Sequence, residues 1–144
     1  MRALACVVAS WMMGAASAHA TANVSCLIDY RNVRFELAAI AGSTGPIIQV
    51  HSGTLRIKPA PDAMAASPES AFKREHIIQQ WMLGDELRLQ IEIADEASGQ
   101  NVNLVIFGRL DQKQDKYFGR YVLRISRAGA SRELHGRIKQ CEAG

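Results

Sequence analysis

Side chains able to do chemistry are few in this chain and widely separated. Beyond residue 20 there are three histidines, His51, His76 and His135. None has a second histidine or a cysteine at the spacing of a metal-binding pair, so no metal ligand set is expected. Ser52 follows His51, but successive side chains of a strand point to opposite faces, which makes them a poor nucleophile and base. Asp85-Glu86 and Asp95-Glu96 sit in polar, turn-like stretches and read as solvated. The chain holds no G-x-S-x-G, no H-E-x-x-H and no glycine-rich phosphate loop. No catalytic residue and no cofactor is therefore expected.

What the sequence does concentrate is positive charge near its end. Between Lys113 and Lys139 stand eight Lys and Arg residues against Asp115 and Glu133. Strand periodicity puts several of them on one face, with aromatic rings between them. The candidate ligand-binding set is Arg109, Arg120, Arg124, His135, Arg137 and Lys139 with Phe107 and Phe118. The expected register sets Arg120 across from Lys139 and Arg124 across from His135; on the other side Phe107 meets Arg120 and Phe118 meets Arg109. Like charges directly opposite one another destabilise a sheet, and a bound anion offsets that repulsion. The competing reading is a solvated outer face whose charge discourages aggregation. Phe72 and Trp81 are either core residues or ligand contacts. Trp81 meets Arg88 in one of two registers open to the hairpin at Gly84.

The elements that must carry these residues are strands. Leu87, Leu89, Ile91 and Ile93 alternate with Glu86, Arg88, Gln90 and Glu92, the period of a half-buried strand. Val102, Leu104, Ile106 and Leu110 repeat the pattern, as do Tyr117, Tyr121, Leu123 and Ile125, then Leu134 and Ile138. Asp95 to Gln100, Asp111 to Lys116 and Gly129-Ala130 are the turns, the last a tight hairpin with glycine first. Pairing Ile93 with Val102, Leu110 with Tyr117 and Ile125 with Leu134 keeps every apolar residue on one face. A slip of one residue would turn a strand's side chains over. Gly108 then lies opposite Gly119, and Gly136 falls near Leu123. Glycines there mark a bend of the sheet or room for bulky neighbours.

Upstream, Val33, Phe35 and Leu37 mark a strand, Gly42 to Pro46 a turn and Ile47 to Val50 a short strand. Ser52-Gly53 separates it from another at Thr54 to Lys58. Pro59 to Ser70 reads as a long loop in which Ser67-Pro68-Glu69 starts one helical turn. His76 to Leu83 is a strand rather than a short helix, because Gly84-Asp85 turns it directly into the next strand. The expected fold is all-β, an antiparallel meander closing into a small barrel or sandwich, with at most one short helix near residues 67–75.

Residues 1–20 read as a secretory signal peptide. Arg2 is followed by a small, apolar run from Ala3 to Ala16 and by Ala18-His19-Ala20. The run is shorter than the roughly 20 residues that span a bilayer, and the expected chain is not transmembrane. Residues 21–144 form one exported domain, periplasmic or secreted. Arg2 is the only charge the signal removes from 17 basic and 14 acidic residues, leaving 16 − 14 = +2. So mild a balance names no partner, and export makes nucleic acid a poor one. Cys26 and Cys141 remain, and an oxidising compartment lets them pair. C-x-x-C is absent, so no redox or zinc role is indicated.

A meander with a disulfide between its ends resembles small exported β-barrels of the lipocalin-like and envelope-inhibitor kind. In type the chain is similar to small exported proteins of Gram-negative bacteria. The resemblance carries over no site residue. The expected function is a non-catalytic binding or inhibitor module for an anionic partner: a lipid head group, an acidic polysaccharide or an acidic protein surface. The alternatives are an accessory protein docking on another envelope protein, and a small hydrolase or isomerase using a carboxylate or histidine. An enclosed polar cavity would favour the enzyme, and a filled core with an open outer face would favour docking.

Overall fold

A computed structural model describes residues 21–30, 33–42, 45–58 and 67–143. The expected signal peptide lies outside the described residues. Among the described residues nine strands occur in chain order: β1 Ala22–Tyr30, β2 Val33–Ala41, β3 Ile47–Ile57, β4 Ser67–Ala71, β5 Ile77–Leu83, β6 Glu86–Asp95, β7 Gln100–Asp111, β8 Lys116–Arg127 and β9 Ala130–Ala143. They form one antiparallel sheet in the order β4-β3-β2-β1-β9-β8-β7-β6-β5.

Strict alternation drives this arrangement. Val24, Cys26 and Ile28 of β1, Val33, Phe35 and Leu37 of β2, and Leu87, Leu89 and Ile91 of β6 all point to one buried face. Leu104, Ile106, Tyr121, Leu123, Ile125 and Ile138 continue it through β7, β8 and β9. Together they form a single apolar cluster. Apart from two tyrosines, no polar or charged side chain of the described residues is buried.

The first four strands and the last five are joined by one short ladder, which pairs Val24 to Leu27 of β1 with Gln140 to Ala143 of β9. Cys26 and Cys141 are direct partners in it and are disulfide-bonded. The bond expected from cysteine count is present, and it requires the first and last strands to be neighbours.

The barrel, however, is not closed, and there are no two separate sheets. No ladder joins β3 or β4 to β5. The sheet still curls until its ends touch, and side chains replace the missing ladder. The Gln80 amide accepts from the Ile47 N–H at 2.7 Å and donates to the Ile47 carbonyl at 3.3 Å, as a neighbouring strand's backbone would. The Arg74 guanidinium donates to the carbonyls of Ile47 (2.6 Å) and Ile77 (3.0 Å), tying the two sides together.

Two expectations in the first half need correction. Residues 67–71 are strand β4, paired with the end of β3, and the helical turn among the described residues nearby is a single 3₁₀ turn at Arg74–His76. Ladder bonds to the exposed flank of β3 outweigh the helix-start pattern of Ser67-Pro68-Glu69. Nor does Ser52-Gly53 break β3, which runs through it. A Cβ at Gly53 would come within 2.6 Å of the Phe72 ring, which stacks on Phe35 with centroids 5.5 Å apart. Glycine is there to admit that ring.

Candidate functional site

The expected hairpins β6–β7 and β7–β8 have the pairing read from periodicity: Ile93 meets Val102, Leu110 meets Tyr117 and Gly108 meets Gly119. The last hairpin does not. Its turn is Ala128-Gly129, with φ of 49° and 81°, and Arg127 pairs with Ala130. Two successive left-handed residues match the twist of a two-residue hairpin. The pairing is shifted by two residues, which preserves every face and changes every partner.

The site changes with it. Arg120 faces Arg137, not Lys139, and Arg124 faces Glu133, not His135. Arg124 is bonded to Glu133 at 2.7 Å, and His135 reaches the same carboxylate at 3.0 Å. These charges hold the Glu133 carboxyl below its ordinary range, the Arg124 hydrogen bond being the largest cause. Arg124 is thus paired with a carboxylate that also bonds His135, and the two leave the candidate set as a repelling pair. His135 stands across from Val122. Lys139 lies in β9 past Arg137, where a bulge interrupts the ladder to β8.

The pairing that stands is a single row across five strands: Trp81 on β5, Arg88 on β6, Phe107 on β7, Arg120 on β8 and Arg137 on β9. The guanidinium of Arg120 lies 5.4 Å from the centroid of the Phe107 ring, and that of Arg88 lies 6.0 Å from it. One ring is therefore flanked by two cations, which its π-faces attract. Arg88 also meets Glu86 at 3.1 Å, a solvent-exposed pair of little strength. Among the described residues no carboxylate reaches Arg120 or Arg137. Arg109 and Phe118 stand opposite each other in the adjacent row, next to Glu86.

Two shallow hollows flank this row. The larger, about 710 Å³, is open to solvent and runs along Trp81, Arg88, Gln90, Val105 and Phe107 to Arg74. The smaller, about 400 Å³, lies over Gly108 and Gly119 between Arg88, Arg109, Phe118 and Arg120. A Cβ at Gly119 would fall 1.9 Å from the Phe107 carbonyl oxygen, so glycine is what lets the two strands approach there.

Trp81 and Arg88 belong to the row but not to the set drawn from the basic run. Their place depended on the Gly84 hairpin, which pairs Trp81 with Arg88. Gly84 has φ 57° and serves as the first turn residue. His51 and Ser52 are both exposed at a bulge of β3. Among the described residues, no three His, Cys, Asp or Glu residues stand close enough to hold a metal ion, and no helix is long and apolar enough to cross a membrane. No protein-family model, no curated protein and no solved structure matches the sequence.

Proposed function

We propose that this protein is an exported, non-catalytic binding module whose outer β5–β9 face takes an anionic partner. The observation that carries this reading is the direct apposition of Arg120 and Arg137 with no carboxylate among the described residues in ion-pair contact with either. Two guanidinium groups one strand spacing apart, about 5 Å at the backbone, repel each other in the free protein. A phosphate or carboxylate bridging them removes the repulsion and gains charge-assisted, bidentate hydrogen bonds. The filled apolar core and the open hollows favour binding at the surface over capture inside. The Cys26–Cys141 disulfide suits an oxidising compartment, which agrees with export through a signal at residues 1–20.

The test is a double substitution, Arg120→Ser with Arg137→Ser. Both residues are exposed, so folding is retained and the thermal midpoint stays equal or rises slightly. Retention on heparin resin and on anionic vesicles falls, and its salt dependence becomes shallower, because exposed charges act over roughly a 10 Å screening length. A merely solvated face gives unchanged retention and an unchanged salt slope. Export has its own test. Intact mass of the protein from the cell envelope or medium should begin at Thr21, with cleavage after Ala18 as the minor form; a species retaining Met1 there refutes it.

A further inference from the structure

Exposed apolar side chains gather beside the basic row. Five large apolar residues are exposed among those described; Leu27 stands apart on β1, and the other four are Ile48 (55%), Ile78 (48%), Trp81 (53%) and Leu83 (66%). Ile78, Trp81 and Leu83 lie along β5. Ile48 joins them because Gln80 bonds both backbone groups of Ile47, bringing the start of β3 against β5. Ile47 is buried and Ile48 points outward. The outer surface thus runs from an apolar strip at the seam, through Arg88 and the half-buried Phe107, to Arg120 and Arg137. A clustered apolar patch marks an interaction site.

We infer that the partner is the surface of a membrane carrying anionic lipids, with the β5 strip entering the head-group region and the arginine row lying on the phosphates. The inference rests on the anionic-partner reading above and names its source. An acidic polysaccharide would engage the arginines and Phe107 but leaves Ile48, Ile78 and Leu83 without a role. A lipid surface uses both halves: tryptophan is suited to the interface between hydrocarbon and water, and arginine near an anionic leaflet is drawn to it. Apolar burial plus attraction to anionic lipid is the combination that holds surface-bound proteins in place. Asp85 and Glu86 edge the strip at the hairpin after Leu83. Their charge opposes approach to anionic lipid, and Glu86 is already paired with Arg88.

Trp81 is the only tryptophan after Trp11, so the exported form reports on its own docking. The disulfide-bonded protein is titrated with vesicles of phosphatidylcholine alone and of phosphatidylcholine with phosphatidylglycerol, while Trp81 emission and co-sedimentation are followed. Anionic vesicles should sediment the protein and shift Trp81 emission to the blue; phosphatidylcholine vesicles should do neither. Each arginine removed at positions 120 and 137 should lower partitioning about fivefold. Ile78→Ser with Leu83→Ser should weaken binding and reduce the blue shift, with the salt dependence preserved. Sedimentation with unchanged Trp81 emission overturns the docking inference and leaves the anionic reading intact. Binding to heparin but not to anionic vesicles does the same and assigns the row to polysaccharide. Binding to neither overturns both.

Discussion

Reducing the Cys26–Cys141 bond should cost this protein about a third or more of its stability. The bond links residues 115 apart in sequence. Removing a cross-link over a loop of that length restores about 16 cal/mol/K of chain entropy to the unfolded state, or about 5 kcal/mol at 25 °C. Small domains are stable by only about 5–15 kcal/mol in all. The location adds to the effect, because the bond sits in the four-pair ladder that joins β1–β4 to β5–β9, while the seam at the other end is held by the Gln80 and Arg74 side chains on Ile47. For roughly 110 described residues the unfolding entropy is about 0.23 kcal/mol/K, so the thermal midpoint should drop by about 20 °C. The assay compares oxidised protein with protein held reduced by a phosphine, by urea titration and by thermal melting. Cys26→Ala with Cys141→Ala serves as a second form that cannot reoxidise. Coincident urea midpoints, or a thermal shift below about 5 °C, would refute the reasoning. Either would mean that the shared core, rather than the cross-link, holds the two groups of strands together.

Replacing Ala128 by Asn should raise stability by about 0.5–1 kcal/mol in urea titration, since Ala128 holds φ 49° and Asn-Gly is a favoured pair for such a turn; a lower midpoint would contradict the turn assignment. Gly136→Ala should destabilise by about 1–3 kcal/mol, because a Cβ there would come within 2.3 Å of the buried Tyr121 ring. Adding Tyr121→Leu should make the Gly136 change cheaper, and a double-mutant cycle without coupling would count against the contact. Acid should also weaken the fold. Asp29, Asp95 and Glu133 have carboxyl groups held below their ordinary range, chiefly by hydrogen bonds to Lys58, Ser98 and Arg124 respectively. A group with a lowered folded pKa stabilises above its unfolded value, near 4, and ceases to as pH falls through the folded one. Thermal midpoints should therefore hold from pH 7 to about 5 and decline below it, less steeply in Glu133→Gln. An equal decline in that variant would assign the acid loss elsewhere.

Periodicity made much of β6, β7 and β8 legible, because three conditions agree there: strict alternation, polar loops of definite length and one common apolar face. The β8–β9 pairing escaped for a physical reason. Alternation fixes which face a side chain takes, but a shift of two residues leaves every face unchanged. Only the turn distinguishes the two registers, and that turn puts an alanine in a left-handed conformation no local signal announces. The consequence fell on the site, exchanging two expected repulsions for one repulsion, Arg120 with Arg137, and one ion pair, Arg124 with Glu133. Trp81 and Arg88 went unplaced for the same kind of reason. In the first half, glycine and proline misled. Gly53 admits a ring from a distant segment and Pro68 lies in a short strand, so both answer to non-local packing. The open seam is non-local as well, resting on Gln80 and Arg74 reaching the backbone of Ile47.

The pairing of the first strand with the last also sets a timetable. A chain that appears from its N-terminus can zip β1 to β2 and β2 to β3 as soon as they emerge, since those connections are short. The other edge of β1 must wait for β9, whose residues come more than a hundred positions later. Contacts of such separation are slow to form, and an unpaired edge is where chains join one another wrongly. Until β9 arrives, no ladder joins the first four strands to the later ones, and the contacts of Gln80 and Arg74 with Ile47 lack its support. The thiol of Cys26 spends that interval without its partner, open to any other thiol or disulfide it meets. Arrival of β9, rather than completion of any earlier hairpin, is the event that makes the two groups of strands one continuous sheet.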